Sequence, residues 1–293
     1  MPDERSTMKK VWQFPLVAML VAIAIMIACV SLVSVISAPD LTGLGVQEAY
    51  AAFAILLVLL CLAAYKLVIR KLGRKKHGDL PLDWSAIRDT ALGFGGGALL
   101  ISICVGLAAL FGVYRIEGTD DFGDGLQIIF LFGVYAGFFE ELLLRGIVFR
   151  WLEEMAGSWI ALALSALIFG FLHAGNDNAT FFSSLAISIE AGILLGAAYM
   201  LTRSLWLAIG LHAGWNVVQA LWDVPVSGND VESVIEADLS GPSLLAGGGF
   251  GLEATVFAVV VATSAGIALL VLAARRGRIV APMWRRDGPI TAY

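Results

Sequence analysis

Charge is scarce in this sequence. Only 15% of its 293 residues are charged, whereas 59% are hydrophobic, and the mean hydropathy is +0.86. A soluble domain carries about 25% charged residues, so the composition excludes an ordinary soluble globular protein. Apolar runs of about 20 residues, the length that crosses a hydrocarbon core of about 30 Å, recur along the chain. The sequence therefore predicts an all-α, polytopic integral membrane protein.

Several motifs of metal and nucleotide chemistry are also missing. The three cysteines, Cys29, Cys61 and Cys104, lie in apolar runs without a metal-ligand spacing, which is typical of small buried hydrophobic residues. No H-E-x-x-H sequence occurs. The glycine run 95–97 has no lysine directly after it, so it is not a phosphate-binding loop. We find no soluble second domain and no domain-scale repeat.

Eight transmembrane helices are predicted, at approximately residues 15–38, 48–69, 91–113, 126–150, 158–173, 181–202, 204–222 and 253–274. They divide the chain into three regions. Residues 1–124 form an N-terminal three-helix membrane region with a basic cytoplasmic loop, and residues 125–222 form the candidate catalytic core. Residues 223–293 comprise an outer loop, the last helix and a basic cytoplasmic tail. The glycine-rich segment 223–252 is predicted to be a flexible connection.

The charged residues that do occur are segregated by loop. With the N-terminus in the cytoplasm, 17 of the 19 lysines and arginines fall on the cytoplasmic side, and acidic residues fill the outer loops. The positive-inside rule therefore places both termini in the cytoplasm. We expect a bacterial cell membrane, since no eukaryotic targeting signal is present. The basic cluster 70–77 is interpreted as an orientation signal beside an anionic leaflet rather than as a nucleic-acid or specific lipid site.

Three ionisable residues lie inside the fourth predicted span, in the stretch GFFEELLLRG. Near the bilayer centre each of Glu140, Glu141 and Arg145 costs roughly 2.5–3.5 kcal/mol, so their presence calls for a function or a strong structural role. Glu141 and Arg145 are four residues apart and share a helix face, which predicts an ion pair. Glu140 points elsewhere and is left as the free carboxylate, suited to a general base in a cleft of low dielectric.

Two of the three histidines also lie in predicted spans. His173 ends the fifth span in the sequence FGFLH, and His212 precedes Asn216 by four residues in HAGWN, so that the last two share a face. Each group alone could be structural, but their placement alongside the acidic pair favours function. A further glutamate, Glu190, lies in mid-span outside these motifs. We favour a structural role, protonated or paired with a neighbouring helix, and a position facing the cleft stays open.

The three motifs together resemble the CPBP family, the CAAX-protease and bacteriocin-processing membrane proteins also called the ABI family. The resemblance rests on E-E-x-x-x-R at Glu140 to Arg145, F-x-x-x-H at Phe169 to His173 and H-x-x-x-N at His212 to Asn216. This family includes the type II CAAX prenyl endopeptidases. The matching stretch covers about residues 125–220.

The resemblance implies an all-helical intramembrane endopeptidase. It implies that Glu140 and His173 activate a water, that His212 and Asn216 stabilise the oxyanion, and that Arg145 orders Glu141. The implied substrate is a membrane-associated peptide or a lipidated protein, cut near its C-terminus or membrane end. The lipid bilayer is the other expected partner, and no nucleic-acid partner is predicted.

Metal dependence stays open at this stage. Family names often include the word metalloprotease, and Glu140, His173 and His212 could together bind Zn²⁺. That ligand set would make Glu141 the base, although Arg145 is the natural partner of Glu141, so we favour metal-free glutamate catalysis. Two other functional classes also stay open. One is a transporter or proton-coupled carrier, because intramembrane charges mark ion pathways, and the other is a non-catalytic immunity or scaffold protein.

Overall fold

The computed structural model describes residues 11–73, 78–121, 123–230 and 232–286. Its long helices are α1 (Pro15–Ile36), α2 (Val46–Leu67), α3 (Trp84–Leu110), α4 (three consecutive segments, Gln127–Glu140, Glu141–Leu143 and Leu144–Phe149), α5 (Arg150–Leu172), α6 (Phe181–Thr202), α7 (Trp206–Leu221) and α8 (Val256–Arg275). Shorter helical turns are Pro39–Thr42, Ile69–Lys71, His173–Gly175, Ser243–Ala246, Gly248–Phe250, Leu252–Ala254 and Met283–Arg285. Two strands, β1 (Tyr114–Thr119) and β2 (Ile235–Leu239), pair antiparallel. Residues 74–77 of the predicted basic cluster and the basic residues of the N-terminal head, 1–10, lie outside the described residues.

Six helical segments of the described chain are long and apolar enough to cross a membrane, which confirms the all-α polytopic class. One of them, Gln127–Gly175, covers 49 residues and contains two of the predicted spans. Gly157 separates these two, because its backbone leaves the helical region there, with φ 80° and ψ 170°. The remaining predicted span corresponds to α7, which has only 16 residues and so falls short of the roughly 20 that a full crossing needs.

The third span starts earlier than the sequence pattern indicates. It was expected to begin near residue 91, whereas α3 begins at Trp84. Asp83 caps the helix, since its carboxylate accepts a hydrogen bond from the backbone N–H of Ser85 at 2.8 Å. Arg88 and Asp89 pair with each other at 2.8 Å. Capping and charge pairing together extend the helix through a polar segment that has no apolar run.

Close helix packing positions the core of the bundle. A Cβ atom on Gly97 of α3 would lie 2.1 Å from the carbonyl oxygen of Leu211 on α7, and one on Gly170 of α5 would lie 2.1 Å from Oγ of Ser188 on α6. Without a hydrophobic force between helices in lipid, such small residues allow the van der Waals contact that holds spans together. The contacts pack α3 against α7 and α5 against α6.

The outer loops are ordered rather than freely flexible. Strand β1 follows α3 and pairs with β2 of the segment 223–252, with Tyr114 opposite Leu239 and Thr119 opposite Ile235. Phe250 of the same segment is only 2% exposed, and its carbonyl accepts a hydrogen bond from the N–H of Gly228 at 2.9 Å. Because these contacts fold the segment back onto the bundle, the expectation of a flexible connection is not met.

The C-terminal tail packs at the opposite end of α5 from His173. The N–H of Ser158 donates to the carbonyl of Val280 at 3.0 Å, and the N–H of Val280 donates to Oγ of Ser158 at 2.8 Å. A Cβ atom on Gly157 would lie 2.8 Å from both the Val280 carbonyl oxygen and the Pro282 nitrogen. The tail therefore occupies the space that a glycine with positive φ leaves at the start of the membrane part of α5.

Candidate active site

Glu141 and Arg145 form a fully buried ion pair within α4. Arg145 Nη1 lies 2.8 Å from Glu141 Oε1, and both side chains are 0% exposed. Its second terminal nitrogen, Nη2, donates to the carbonyl of Gly192 on α6 at 3.2 Å, and the guanidinium carbon lies 4.6 Å from the ring centroid of Phe169. The ion pair, the carbonyl and the aromatic ring together offset the desolvation energy of this buried arginine.

His212 of α7 connects the two adjacent glutamates. Its Nδ1 lies 3.1 Å from Glu141 Oε1, and its Nε2 lies 4.0 Å from Glu140 Oε2. Because a carboxylate bound by Arg145 accepts rather than donates, the short contact assigns a proton to Nδ1 of His212. The imidazole therefore has a fixed orientation, with Nε2 directed toward Glu140.

The two glutamates differ in their accessibility. The side chain of Glu141 is 0% exposed, whereas the side chain of Glu140 is 25% exposed. Glu141 is held by Arg145 and His212 together. The accessible carboxylate is therefore that of Glu140, the residue that the motif leaves free.

His173 reaches the same group of residues through Phe169. Its Nδ1 lies 2.8 Å from the carbonyl oxygen of Phe169, one turn earlier. A carbonyl only accepts, so Nδ1 carries the proton, and in the neutral ring Nε2 has a free lone pair. The Phe169 ring contacts both imidazoles, with centroid distances of 5.0 Å to His173 and 5.8 Å to His212.

Asn216 follows His212 by one turn of α7 and is 5% exposed. Its side-chain nitrogen donates to the carbonyl of Phe132 on α4, at 3.3 Å. An amide nitrogen has two hydrogens, so this contact orients Asn216 and leaves the second N–H for another acceptor.

A small cavity, with a volume of about 30 Å³, lies beside these side chains. The polar part of its lining comprises His173, His212 and Asn216 from the predicted motifs, together with Glu190, Ser227 and Glu253. Its apolar lining includes Phe169, Ile187, Leu194, Leu195, Leu211 and Trp215. Among the described residues, Glu140 and Glu141 are not part of the lining, so His212 is the residue that contacts both the glutamate pair and the cavity.

The polar lining contains residues that the motifs do not include. Glu190 of α6 is 1% exposed, and neither of its carboxylate oxygens has a hydrogen-bond partner within the described residues. Glu253 lies in the turn before α8 and accepts hydrogen bonds from the N–H of Ser227 at 2.5 Å and from its hydroxyl at 3.0 Å. Burial raises the pKa of Glu253, and the nearby His173 side chain and the hydrogen bonds from Ser227 oppose that rise.

The sequence favoured a structural role for Glu190 and left open that it faces the cleft, and it did not single out Ser227 or Glu253. The available signal for Glu253 was its place as an acidic residue directly before the last apolar run. For Ser227 no local pattern marks a site, because it enters the cavity through the fold of the outer loop.

The suggested zinc ligands do not fit a zinc site. In the described part of the chain, no group of three or more His, Cys, Asp and Glu side chains is arranged to hold a metal ion. Two ligands at about 2.1 Å in tetrahedral geometry lie about 3.4 Å apart. The closest described approach between members of the set Glu140, His173 and His212 is 4.0 Å, between His212 Nε2 and Glu140 Oε2.

Comparison with known proteins identifies one family. Residues 122–218 match the family model described as Rce1-like, type II CAAX prenyl endopeptidase Rce1-like. No curated protein and no solved structure matches the chain. The matched segment contains all three motifs, from Glu140 to Asn216, and so confirms the resemblance to CAAX-type proteases. It supports a CAAX-type intramembrane endopeptidase in general terms.

Proposed function

We propose that this protein is an intramembrane endopeptidase. It hydrolyses a peptide bond near the C-terminus or the membrane end of a membrane-associated peptide or lipidated protein. The observation that carries the proposal is the placement of Glu140: its accessible carboxylate lies 4.0 Å from His212. His212 in turn lines a cavity together with His173 and Asn216.

Glu140 is the proposed general base. It accepts a proton from a water whose oxygen attacks the carbonyl carbon of the scissile peptide bond. The Nε2 lone pair of His173 accepts a hydrogen bond from the same water and orients it. When the tetrahedral intermediate collapses, the C–N bond breaks and Glu140 returns the proton to the leaving amine. Water is consumed, and a carboxylic acid and an amine are formed.

His212 and Asn216 are the proposed oxyanion donors. Both line the cavity, and preorganised donors aimed at developing negative charge supply a large part of catalysis in acyl transfer. Asn216 offers its second amide N–H. Since Nδ1 of His212 donates to Glu141, a donor at Nε2 requires the imidazolium form, which Glu140 and Glu141 flank from two sides.

Glu141 and Arg145 are proposed positioning residues. Their ion pair holds Glu141 in place, and Glu141 in turn fixes the orientation of the His212 ring. The arrangement shares one feature with a catalytic triad, because a fixed carboxylate sets the tautomer of the imidazole that takes part in catalysis.

The test compares wild type with Glu140→Gln, which keeps the side-chain volume and removes the base. Mass spectrometry of membrane proteins from cells carrying each form identifies a cleavage product that only the wild type makes. A peptide spanning that cleavage site is then assayed with the purified protein. We expect Glu140→Gln to lower kcat about 10²- to 10⁴-fold. Glu117→Gln, on the exposed strand β1, is the matched control and retains activity.

Full proteolysis by Glu140→Gln would overturn the proposal. The same assay in the presence of a strong chelator tests the metal-free mechanism, and we expect kcat to be unchanged. Loss of activity on chelation, restored by Zn²⁺, would replace the glutamate mechanism by a metal-dependent one. Solute flux through proteoliposomes without any cleavage would instead favour a transporter or proton-coupled carrier.

A further inference from the structure

Glu190 is a buried carboxylate without a described partner, and it faces a cavity. It is 1% exposed and lines the same cavity as His212 and Asn216. Neither of its oxygens accepts a hydrogen bond from any described residue. A buried carboxylate in this state destabilises the fold, more strongly if it is ionised than if it only lacks hydrogen-bond donors.

Within the described residues, no lysine or arginine hydrogen-bonds Glu190. Arg145 reaches the next residues of α6, but its guanidinium bonds Glu141 and the carbonyls of Ala191 and Gly192. The other acid of the cavity, Glu253, is held by Ser227. Among the described lining residues there is neither lysine nor arginine.

We propose that Glu190, assisted by Glu253, forms a subsite of the cavity that binds the cationic side chain of a lysine or arginine in the peptide substrate. The inference rests on the proposed peptidase function, because the subsite shares its cavity with the proposed oxyanion donors His212 and Asn216. A guanidinium or ammonium group entering the cavity supplies the donors that both oxygens of Glu190 lack.

The outer surface favours the same class of substrate. A depression of about 310 Å³ is lined by six acidic residues, Asp120, Asp124, Asp223, Asp230, Glu232 and Glu236. The loop that supplies Ser227 to the cavity also supplies Asp230 and Glu232 to this depression. Acidic groups gathered on one surface raise the local concentration of cations and so favour the approach of a basic peptide.

The first test measures binding without cleavage, using n-butylguanidinium and its uncharged isostere n-butylurea. Thermal unfolding of the purified full chain in detergent is followed against the concentration of each probe. We expect saturable stabilisation of the wild type by butylguanidinium and none by butylurea. Glu190→Gln should weaken the guanidinium affinity by about tenfold or more, the usual worth of a hydrogen bond to a charged group.

Two further variants test whether the loss of guanidinium affinity is specific to Glu190. Glu117→Gln, on strand β1, is expected to retain the guanidinium affinity, since Glu117 is exposed and does not line the cavity. Glu253→Gln is expected to weaken it less than Glu190→Gln, because the Glu253 carboxylate already accepts hydrogen bonds from Ser227. Equal stabilisation by butylurea, or an unchanged affinity in Glu190→Gln, would overturn the subsite.

The second test uses two versions of the cleaved peptide, with arginine or its neutral analogue citrulline beside the scissile bond. We expect the wild-type kcat/KM to favour arginine by about tenfold or more, and the ratio to approach one in Glu190→Gln. A wild-type ratio near one would overturn the subsite while leaving the peptidase intact. If the wild type cleaves no peptide, the peptidase proposal fails, and the binding test still decides the subsite.

Discussion

Two pairs of glutamates flank this site, and their surroundings differ. Glu140 and Glu141 are adjacent in one helix, and Glu141 is paired with Arg145 at 2.8 Å. Glu190 and Glu253 come from separate elements, and the described lining of their cavity contains neither lysine nor arginine. The first pair is internally compensated, and its charges hold the fold and a histidine in place. In the second pair Glu253 accepts hydrogen bonds from Ser227, whereas the oxygens of Glu190 have no described partner, so Glu190 is available to a ligand that enters the cavity.

The largest effect on stability is expected when Arg145, the cation that neutralises Glu141, is removed. Arg145→Met should lower the free energy of unfolding by about 3–5 kcal/mol, because it leaves Glu141 buried without its cation. Chemical unfolding of the purified protein in detergent, followed by tryptophan fluorescence, measures this change.

The double variant Glu141→Met/Arg145→Met serves as its control. It should recover part of the lost stability, since no uncompensated charge then remains in the pair. A double variant less stable than Arg145→Met alone would show that the two residues do not act as a pair.

The same replacement at the second pair should have the opposite sign. Glu190→Met substitutes an apolar chain for two unpartnered oxygens, and should raise the free energy of unfolding by about 1–3 kcal/mol. The unfolding assay used for Arg145→Met measures it directly. If Glu190→Met were as destabilising as Arg145→Met, the contrast between the two pairs would be lost, and Glu190 would have a structural partner.

The smallest effect is expected at Ser227. Ser227→Ala removes the hydroxyl that donates to Glu253 at 3.0 Å but keeps the backbone donor at 2.5 Å. The expected loss is about 1 kcal/mol of unfolding free energy. Ser240→Ala is the matched control in the same loop, because the hydrogen bond from its hydroxyl to Asp238 is exposed. Surface changes usually stay within about 0.5 kcal/mol. Equal losses from both variants would show that the hydrogen bond from the Ser227 hydroxyl to Glu253 stabilises the fold no more than a surface hydrogen bond does.

These contrasts also explain what the sequence could predict. Spacing within one helix was enough for the ion pair of Glu141 and Arg145 and for the common face of His212 and Asn216, because residues four apart lie together on a helix. The approach of His173 to His212 depends on Phe169 between them and on the close packing at Gly170. Packing between helices has no local period, so a family resemblance was needed to bring the histidines together.

The loops were the least predictable part. Segment 223–252 has the composition of a flexible connection, yet a strand pair and the burial of Phe250 order it. Because that order arises from contacts with distant segments, composition could not indicate it, and the place of Glu253 in the cavity was missed for the same reason. The division into regions 1–124, 125–222 and 223–293 stays a prediction, as do the cytoplasmic placement of both termini and the bacterial membrane.

The contact between the C-terminal tail and the start of the membrane part of α5 makes the two mechanically continuous. Hydrogen bonds in both directions join Ser158 to Val280, and the backbone of Gly157 packs directly against the same part of the tail. From Ser158 to Leu172 the helix is a rod of about 22 Å, with His173 at its far end. A load on the tail, from a fused protein or a tethered partner, therefore arrives at one of the histidines of the cavity without crossing any intervening loop.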